Sequence, residues 1–353
     1  MNDTIDSHAR QRGISRHFKE VATGIIEAFG QNVVIFSPEP GDYSPARHIR
    51  SVRFRGSRRL GVHDILASIL AYREKPRVFF SPYYGRAWTK AAEIFTVYDL
   101  IPELFSQYYS NQRGFIAERK HCFERAARLI AISQNTARDI VTCYPHLAAG
   151  KIVSIHLGVD DFFFENNQPQ SNYSEKPFFL YVGHRASHKN FLRLLIAFGQ
   201  SGLAQNFNLR VISPVAGGFT PAEINEMEKY HFQESVQLVT AVSEEALRES
   251  YTGAVALVYP SEYEGFGLPI LEAMAGGTVV ATSNTSSMPE VGGKAAFYFD
   301  PYQVDSIAKC LWQIAELPAE ERQSRVDQGI AWARTFTWGR CRQQTVDVIR
   351  QFI

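Results

Sequence analysis

The chain has 353 residues, 45% of them hydrophobic and 21% charged, with a formal net charge of +1; this is a globular composition, long enough for about two domains. Four scattered cysteines (Cys122, Cys143, Cys310, Cys341) without a CxxC spacing argue against a zinc site or disulfide framework and fit reduced thiols in a cytoplasmic protein. No apolar run approaches the ~18 residues of a membrane span, and "MNDTIDSHARQRG" at the start lacks the apolar core of a signal peptide. Charge is uneven: residues 1–160 carry 22 Lys/Arg against 15 Asp/Glu, and residues 161–353 carry 15 against 21. A basic first half suggests a phosphate-bearing or membrane-surface partner, or simply an uneven solvated surface.

In chain order, short apolar runs predict strands at 32–37, 77–81, 93–99, 128–133 and 151–158, then at 178–183, 208–213, 236–239, 254–260 and 278–283. Most are near-continuous Val, Ile, Leu and Phe, as expected for strands buried on both faces. Helical periodicity falls between them, at 14–29, 61–73, 112–127, 134–143, 189–201, 221–230, 243–250, 268–275 and 303–315, and a last helix follows a cap at Thr337. This alternation predicts an α/β protein with parallel sheets and right-handed crossovers. The polar stretch "ENNQPQSNYSEKP" (165–177) reads as a linker, giving domains at 1–168 and 169–337.

Two constellations in the second half carry chemistry. In "YPSEYEGFGLPILEAMAGG" (259–277), Glu264-Gly265-Phe266-Gly267 forms the loop after a strand, and Leu268-Pro269 opens a helix, with Pro where its missing N–H costs nothing. Ligands bind at the carboxyl ends of strands in open α/β sheets. Glycines allow close backbone approach, and a helix N-terminus offers N–H groups to oxygen or anion. Glu272, one turn in, suits a vicinal diol such as a ribose, and Glu264 suits sugar hydroxyls or a cationic transition state. On spacing alone, two solvated glutamates around a turn account for the pattern equally well. In "LYVGHRASHKNF" (180–191), a strand and glycine turn lead to Arg185 and Lys189 at a helix start. A guanidinium fork, a point-charge ammonium and backbone amides make a diphosphate site. A diphosphate site beside a diol site is what a nucleotide-sugar requires.

With these residues quoted, the chain resembles glycosyltransferase family 4, and in particular its bacterial mannosyltransferase-like branch of polysaccharide and O-antigen assembly. Glu264 to Glu272 matches the family's E-x7-E motif, and "YVGHRASHKNF" its G-x-R-x-x-x-K-N-F phosphate loop. "VAGGFTPAEI" (215–224) and "SNTSSMPEVGGKAAFYFDPYQVDSIA" (283–308) also fit. The first half is similar more loosely, through "GISRHFKEV" (13–21), "FFSPYYG" (79–85), "TVYDLIPELF" (96–105), "AISQNTARDI" (131–140) and "HLGVDDFF" (156–163). It departs from the family in having only "DTID" before the first glycine loop, in Arg12 preceding a single Gly13, and in Phe80 and Tyr98 where the family often has histidines.

The resemblance implies a GT-B fold, two Rossmann-like domains with parallel sheets facing across a cleft, with the helix 338–353 returning to the N-terminal domain. It implies Arg185 and Lys189 on the donor diphosphate and Glu272 on the ribose. Glu264 and the amides of Gly265, Phe266, Gly267 and Leu268 would hold the transferred sugar. Thr240 and Val242 of "TAVS" would lie near the base, and Gly13 near the phosphates. Asp99, closing "TVYD", joins Glu264, Arg185 and Lys189 as a candidate catalytic residue; Tyr83, Tyr84 and Tyr98 are acceptor candidates.

The expected reaction is retaining transfer of a hexosyl unit from a nucleotide diphosphate sugar, GDP-mannose on the branch resemblance, to a saccharide or a polyprenyl-diphosphate-linked acceptor. No DxD motif occurs, so no cofactor and no metal are expected, with fixed cations in their place. No nucleic acid partner is implied. Six arginines between Arg47 and Arg59 suggest peripheral contact with the anionic inner face of the plasma membrane, or a solvated loop. Trp88, Tyr83 and Tyr84 are candidates to stack on an acceptor sugar, or to pack at a strand end. A catalytically degenerate nucleotide-sugar binder and a nucleotide-sugar epimerase stay open as alternatives.

Overall fold

The computed structural model describes residues 13–37, 43–50, 62–81, 87–107, 109, 112–165, 176–185, 187–214 and 217–353. These form two compact units, one of residues 1–158 with 338–353, the other of residues 159–337. "DTID", Arg12, Tyr83, Tyr84, most of the Arg47–Arg59 stretch and the linker centre lie outside the described residues.

The first unit opens with α1 (Ile14–Phe29), entered through Gly13 at φ 77°, a left-handed backbone that glycine adopts without steric cost. Then come β1 (Val34–Ser37), β2 (Arg47–Arg50), α2 (Val62–Glu74), β3 (Val78–Ser81), β4 (Ala92–Val97), α3 (Ile101–Leu104), α4 (Arg113–Arg125), β5 (Arg128–Ala131), α5 (Gln134–Cys143) and β6 (Ile152–Ser154). Among the described residues, β3-β4-β5-β6 make a parallel sheet in that order, and β1 pairs with β2 in parallel separately. β2 corrects the sequence reading, which left Arg47–Arg50 in a basic loop; a four-residue strand flanked by arginines gives no apolar run to find.

The C-terminal helix, Trp338–Arg350, belongs to this unit. It lies against α1 closely enough that a Cβ on Gly24 would stand 2.7 Å from Arg342 Cβ. Arg342 also reaches Glu20 at 3.8 Å.

The second unit contains β7 (Phe178–Val182), α6 (Phe191–Ser201), β8 (Asn208–Ser213), α7 (Pro221–Lys229), β9 (Val236–Thr240), α8 (Glu244–Gly253), β10 (Ala256–Tyr259), α9 (Leu268–Ala275), β11 (Val280–Ser283), α10 (Met288–Gly292), β12 (Phe297–Phe299), α11 (Val304–Ala315) and α12 (Ala319–Ala333). Short β12 and α10, and the polar α12, were not legible as elements in the sequence. All pairings are parallel, in the order β12-β11-β10-β7-β8-β9. β7, β10 and β11 are buried throughout, which explains their unbroken apolar runs. Phe179, Phe198, Leu209, Val258 and Leu311 belong to one core on this sheet.

The unit boundary falls ten residues before the expected 168/169. The segment Asp161–Phe164 is a 3-10 turn whose Phe163 ring meets Tyr251 at 6.0 Å, while Arg248 stacks over Phe162 at 4.2 Å. These aromatic contacts bind the segment to the second unit, whereas chain polarity had pointed to the next loop.

Gly24→Leu should force the C-terminal helix off α1 and cost about 2 kcal/mol. Urea denaturation would show this as a lower midpoint, and an unchanged midpoint would refute the close approach.

Candidate functional site

Strand order in the second unit reverses beside β7: β8 and β9 extend to one side, β10, β11 and β12 to the other. Chain connections leave in opposite directions there, so a crevice opens at the carboxyl ends of β7 and β10. The loops after these two strands carry Arg185, Lys189 and Glu264.

Lys189 Nζ donates to both Glu264 oxygens, at 2.6 and 2.8 Å, and Tyr259 Oη donates to Oε1 at 2.8 Å. Glu264 is only 8% exposed, which overturns the solvated-surface alternative. Burial by itself pushes this carboxyl up, but Lys189, then His188, outweigh that, and Glu264 titrates below the ordinary glutamate range. Tyr259 is pushed well up by burial and by the adjacent Glu264 charge, so it remains a protonated donor.

The Glu264 loop is fixed from behind. Ser286 Oγ donates to Glu264 O at 2.6 Å, and Ser287 Oγ to Glu264 O at 2.9 Å and Phe266 O at 2.6 Å. Gly267, at φ 116°, precedes α9, and this left-handed backbone requires glycine. Phe266 is buried and its ring meets Phe336 at 6.1 Å, which anchors the turn from Gly265 to Leu268. Glu272 lies on α9, where its Oε2 accepts from Tyr251 Oη at 2.8 Å; the tyrosine holds the carboxylate that the sequence assigned to a diol.

Arg185 is not the open cation that the sequence suggested. It is ion-paired with Glu223, donates to Gly218 O at 2.7 Å, and stacks over Phe219 at 5.1 Å and Phe191 at 5.9 Å. Glu223 is buried and closes a capping box with Thr220 at the start of α7. The sequence reading missed Glu223, although Thr220-x-x-Glu223 is a capping-box spacing that could have found it. Thr240 ends β9, and Val242 follows it just before α8, two strands from β7 on the same sheet edge, about 10 Å away at the usual strand spacing.

Asn190, also missed, ties the loops together. At φ 58° it takes a backbone that asparagine tolerates better than most residues. Its Nδ2 donates to Pro260 O at 3.0 Å and Pro301 O at 2.8 Å, joining the loops after β7, β10 and β12. Arg193 donates to Asn190 Oδ1, and to Glu262 Oε1 at 2.9 Å.

The first unit gathers its own candidates. Tyr98 is buried, its hydroxyl hydrogen-bonded to His17 Nδ1 at 2.6 Å; as an acceptor candidate it presents little surface. His17 is buried, and desolvation lowers its pKa to about 4, so the imidazole is neutral at physiological pH. It sits on α1, one turn from Gly13. Asp99 Oδ1 accepts from Ile101 N at 3.0 Å. Arg119, 1% exposed, donates to Asp99 O at 3.0 Å and Glu103 Oε1 at 2.8 Å, and Tyr144 donates to the same Glu103 oxygen. A buried ion pair thus fixes the loop that carries Asp99. Trp88 is 72% exposed, which corrects its reading as strand-end packing. Phe80 is half-buried in β3.

Residues 163–332 match the family described as Glycosyl transferases group 1, and residues 11–161 that described as Glycosyltransferase Family 4. The chain is 25% identical over 286 residues to O-antigen chain mannosyltransferase B of Escherichia coli, covering 78% of this chain and 74% of that protein. It is 28% identical over 257 residues to the serotype-specific mannosyltransferase WbdA of Escherichia coli, covering 68% of this chain but only 31% of that protein. Sucrose-phosphate synthase from Thermosynechococcus elongatus has a similar fold, with a TM-score of 0.76 at 20% identity over 96% of this chain and 93% of that one.

Lys189→Met should strand a buried carboxylate and cost about 3 kcal/mol near neutral pH. Glu264 is depressed in the wild type, so its contribution is present above the unfolded pKa, about 4.3, and is lost as pH falls through the lower folded value. In the variant, burial raises the carboxyl above that value, so stability is lost as pH rises instead. Melting temperature against pH should therefore change slope between the two proteins; parallel profiles would refute the pairing.

Proposed function

We propose that this chain, which belongs to the glycosyltransferases that join a family 4 domain to a group 1 domain, moves a mannosyl unit from GDP-mannose to a saccharide or polyprenyl-diphosphate-linked acceptor, with retained anomeric configuration and without a metal. Its GT-B class, two parallel-sheet Rossmann-like domains, agrees with such a transfer. The observation that carries this reading is the Lys189–Glu264 pair at the β7/β10 switch point. Mannose as the sugar is supported by relatives that are themselves named mannosyltransferases.

The donor lies along the carboxyl edge of the second sheet. Its base sits toward Thr240 and Val242, its ribose on Glu272, its diphosphate at Lys189 and Arg185, and its sugar on Glu264 and the backbone of residues 265–268. Lys189 directs two of its three N–H groups to Glu264, which leaves one for a phosphate oxygen. As the glycosidic bond breaks, negative charge grows on the diphosphate, and preorganised cations stabilise it without reorganising. Glu264, ionised over the working pH range, faces the oxocarbenium-like sugar. The departing phosphate oxygen takes the acceptor proton on the same face, so the step needs no histidine base at Tyr98. Asp99, Gly13, Tyr83 and Tyr84 stand as acceptor-side and phosphate-side candidates.

A second reading is a nucleotide-sugar binder without turnover. It draws on Phe80 and on the burial of Tyr98 against His17, where the family often places histidines. Tight donor binding with neither transfer nor donor hydrolysis would establish it.

Transfer assayed with a panel of nucleotide sugars and glycan acceptors should select GDP-mannose and give an α-linked product by NMR. Arg185→Met and Lys189→Met should each lower kcat/KM by about a hundredfold. Glu272→Gln should raise the donor KM about tenfold with kcat nearly kept. Activity that EDTA abolishes and a divalent ion restores would overturn the metal-free mechanism, and binding of no nucleotide sugar would overturn the whole reading.

A further inference from the structure

We propose that Tyr251 is a positioning residue for the ribose of the donor: its hydroxyl sets the Glu272 carboxylate to take a vicinal diol, so that nucleoside diphosphates with both ribose hydroxyls are chosen over deoxy forms. The proposal rests on the donor reading above, in which Glu272 meets the ribose. Glu272 is half-buried and stands one helical turn after Leu268 on α9, so the two share a face. A helical side chain leans toward the N-terminus of its helix, which here is the turn from Glu264 to Leu268. An unrestrained glutamate in that place would sample many rotamers. Instead Glu272 Oε2 accepts from Tyr251 Oη at 2.8 Å, and a phenol donating to a carboxylate makes a strong, charge-assisted bond. A carboxylate accepts about four hydrogen bonds, so a phenol on one oxygen is compatible with a diol on the same group.

Packing of α8 on α9 does not call for this hydroxyl. Tyr251 is fully buried, its ring meets Phe163 at 6.0 Å, and its carbonyl accepts from Thr278 Oγ1. A Cβ on Gly276, just past α9, would stand 3.4 Å from Tyr251 Cβ, so the helices meet through small groups and ring surface. Phenylalanine has the same ring and would serve such packing; tyrosine adds an oxygen, and that oxygen reaches Glu272. The same arrangement serves Glu264, which accepts from the buried Tyr259 Oη at 2.8 Å. Tyr251 and Tyr259 are eight residues apart, as are Glu264 and Glu272, and each buried phenol fixes one carboxylate of the pair. A carboxylate already ordered loses less freedom when the ribose arrives. A group set to accept from two hydroxyls also disfavours a ligand that lacks them.

The test is the affinity of the full chain for GDP and for dideoxy-GDP, which lacks both ribose hydroxyls, by isothermal titration calorimetry without acceptor. The wild type should prefer GDP by about tenfold. Tyr251→Phe should weaken GDP about tenfold while changing dideoxy-GDP less than about twofold, so the preference collapses. Tyr259→Phe removes the other buried phenol and should keep the preference. In a Glu272→Ala background, Tyr251→Phe should have no further effect on GDP. The preference is a ratio taken on one preparation, so a smaller folded fraction in a variant leaves it unchanged. If the wild type binds neither nucleotide or shows no preference, or if Glu272→Ala keeps the preference, the ribose placement falls and this proposal with it. If Glu272→Ala removes the preference and Tyr251→Phe keeps it, the placement stands and the role of Tyr251 is overturned. Equal loss in Tyr251→Phe and Tyr259→Phe, which a general loosening of the site would give, overturns it as well.

Discussion

The site depends on one buried ion pair at the point where a parallel sheet reverses its strand order. Lys189 arrives on the loop after β7 and Glu264 on the loop after β10, and the ammonium bridges both carboxylate oxygens. Burying either charge alone is costly, and the pair recovers that cost only with good geometry and further hydrogen bonds. Tyr259 supplies one of these, to Glu264 Oε1 at 2.8 Å. The result is an ionised carboxylate and a cation held in fixed positions in a poorly solvated crevice, where electrostatic interactions are stronger than in water.

Much of the surrounding sequence serves to hold that pair still. Ser286 and Ser287 fasten the Glu264 loop through its carbonyls, and Asn190 fastens it to the loops after β7 and β12. Arg185 is likewise compensated, by Glu223 and by a carbonyl, and wedged among aromatic rings. Both cations of the site are therefore neutralised locally before any ligand arrives.

Tyr98 bonds to a neutral His17 on α1, the helix that Gly13 begins. An imidazole and a phenol in contact keep a polar, hydrogen-bonded link between that helix and the loop carrying Asp99. Arg119 and Glu103 pin the same loop from its other side.

The α/β class, the long strands and helices, and the placement of Arg185, Lys189, Glu264 and Glu272 at strand ends and helix starts were all legible in the sequence, because hydrophobic period and glycine or proline punctuation are local properties. Short β2, β12 and α10 were not, since three to five residues carry no period, and α12 was hidden by its polar face. Motif spacing could place Lys189 and Glu264 in ligand loops, but it could not tell that they meet each other, that Glu223 neutralises Arg185, or that Tyr98 is turned inward to His17. Those facts join residues 75, 38 and 81 positions apart, and only strand order and loop packing decide which distant charges share a low-dielectric crevice.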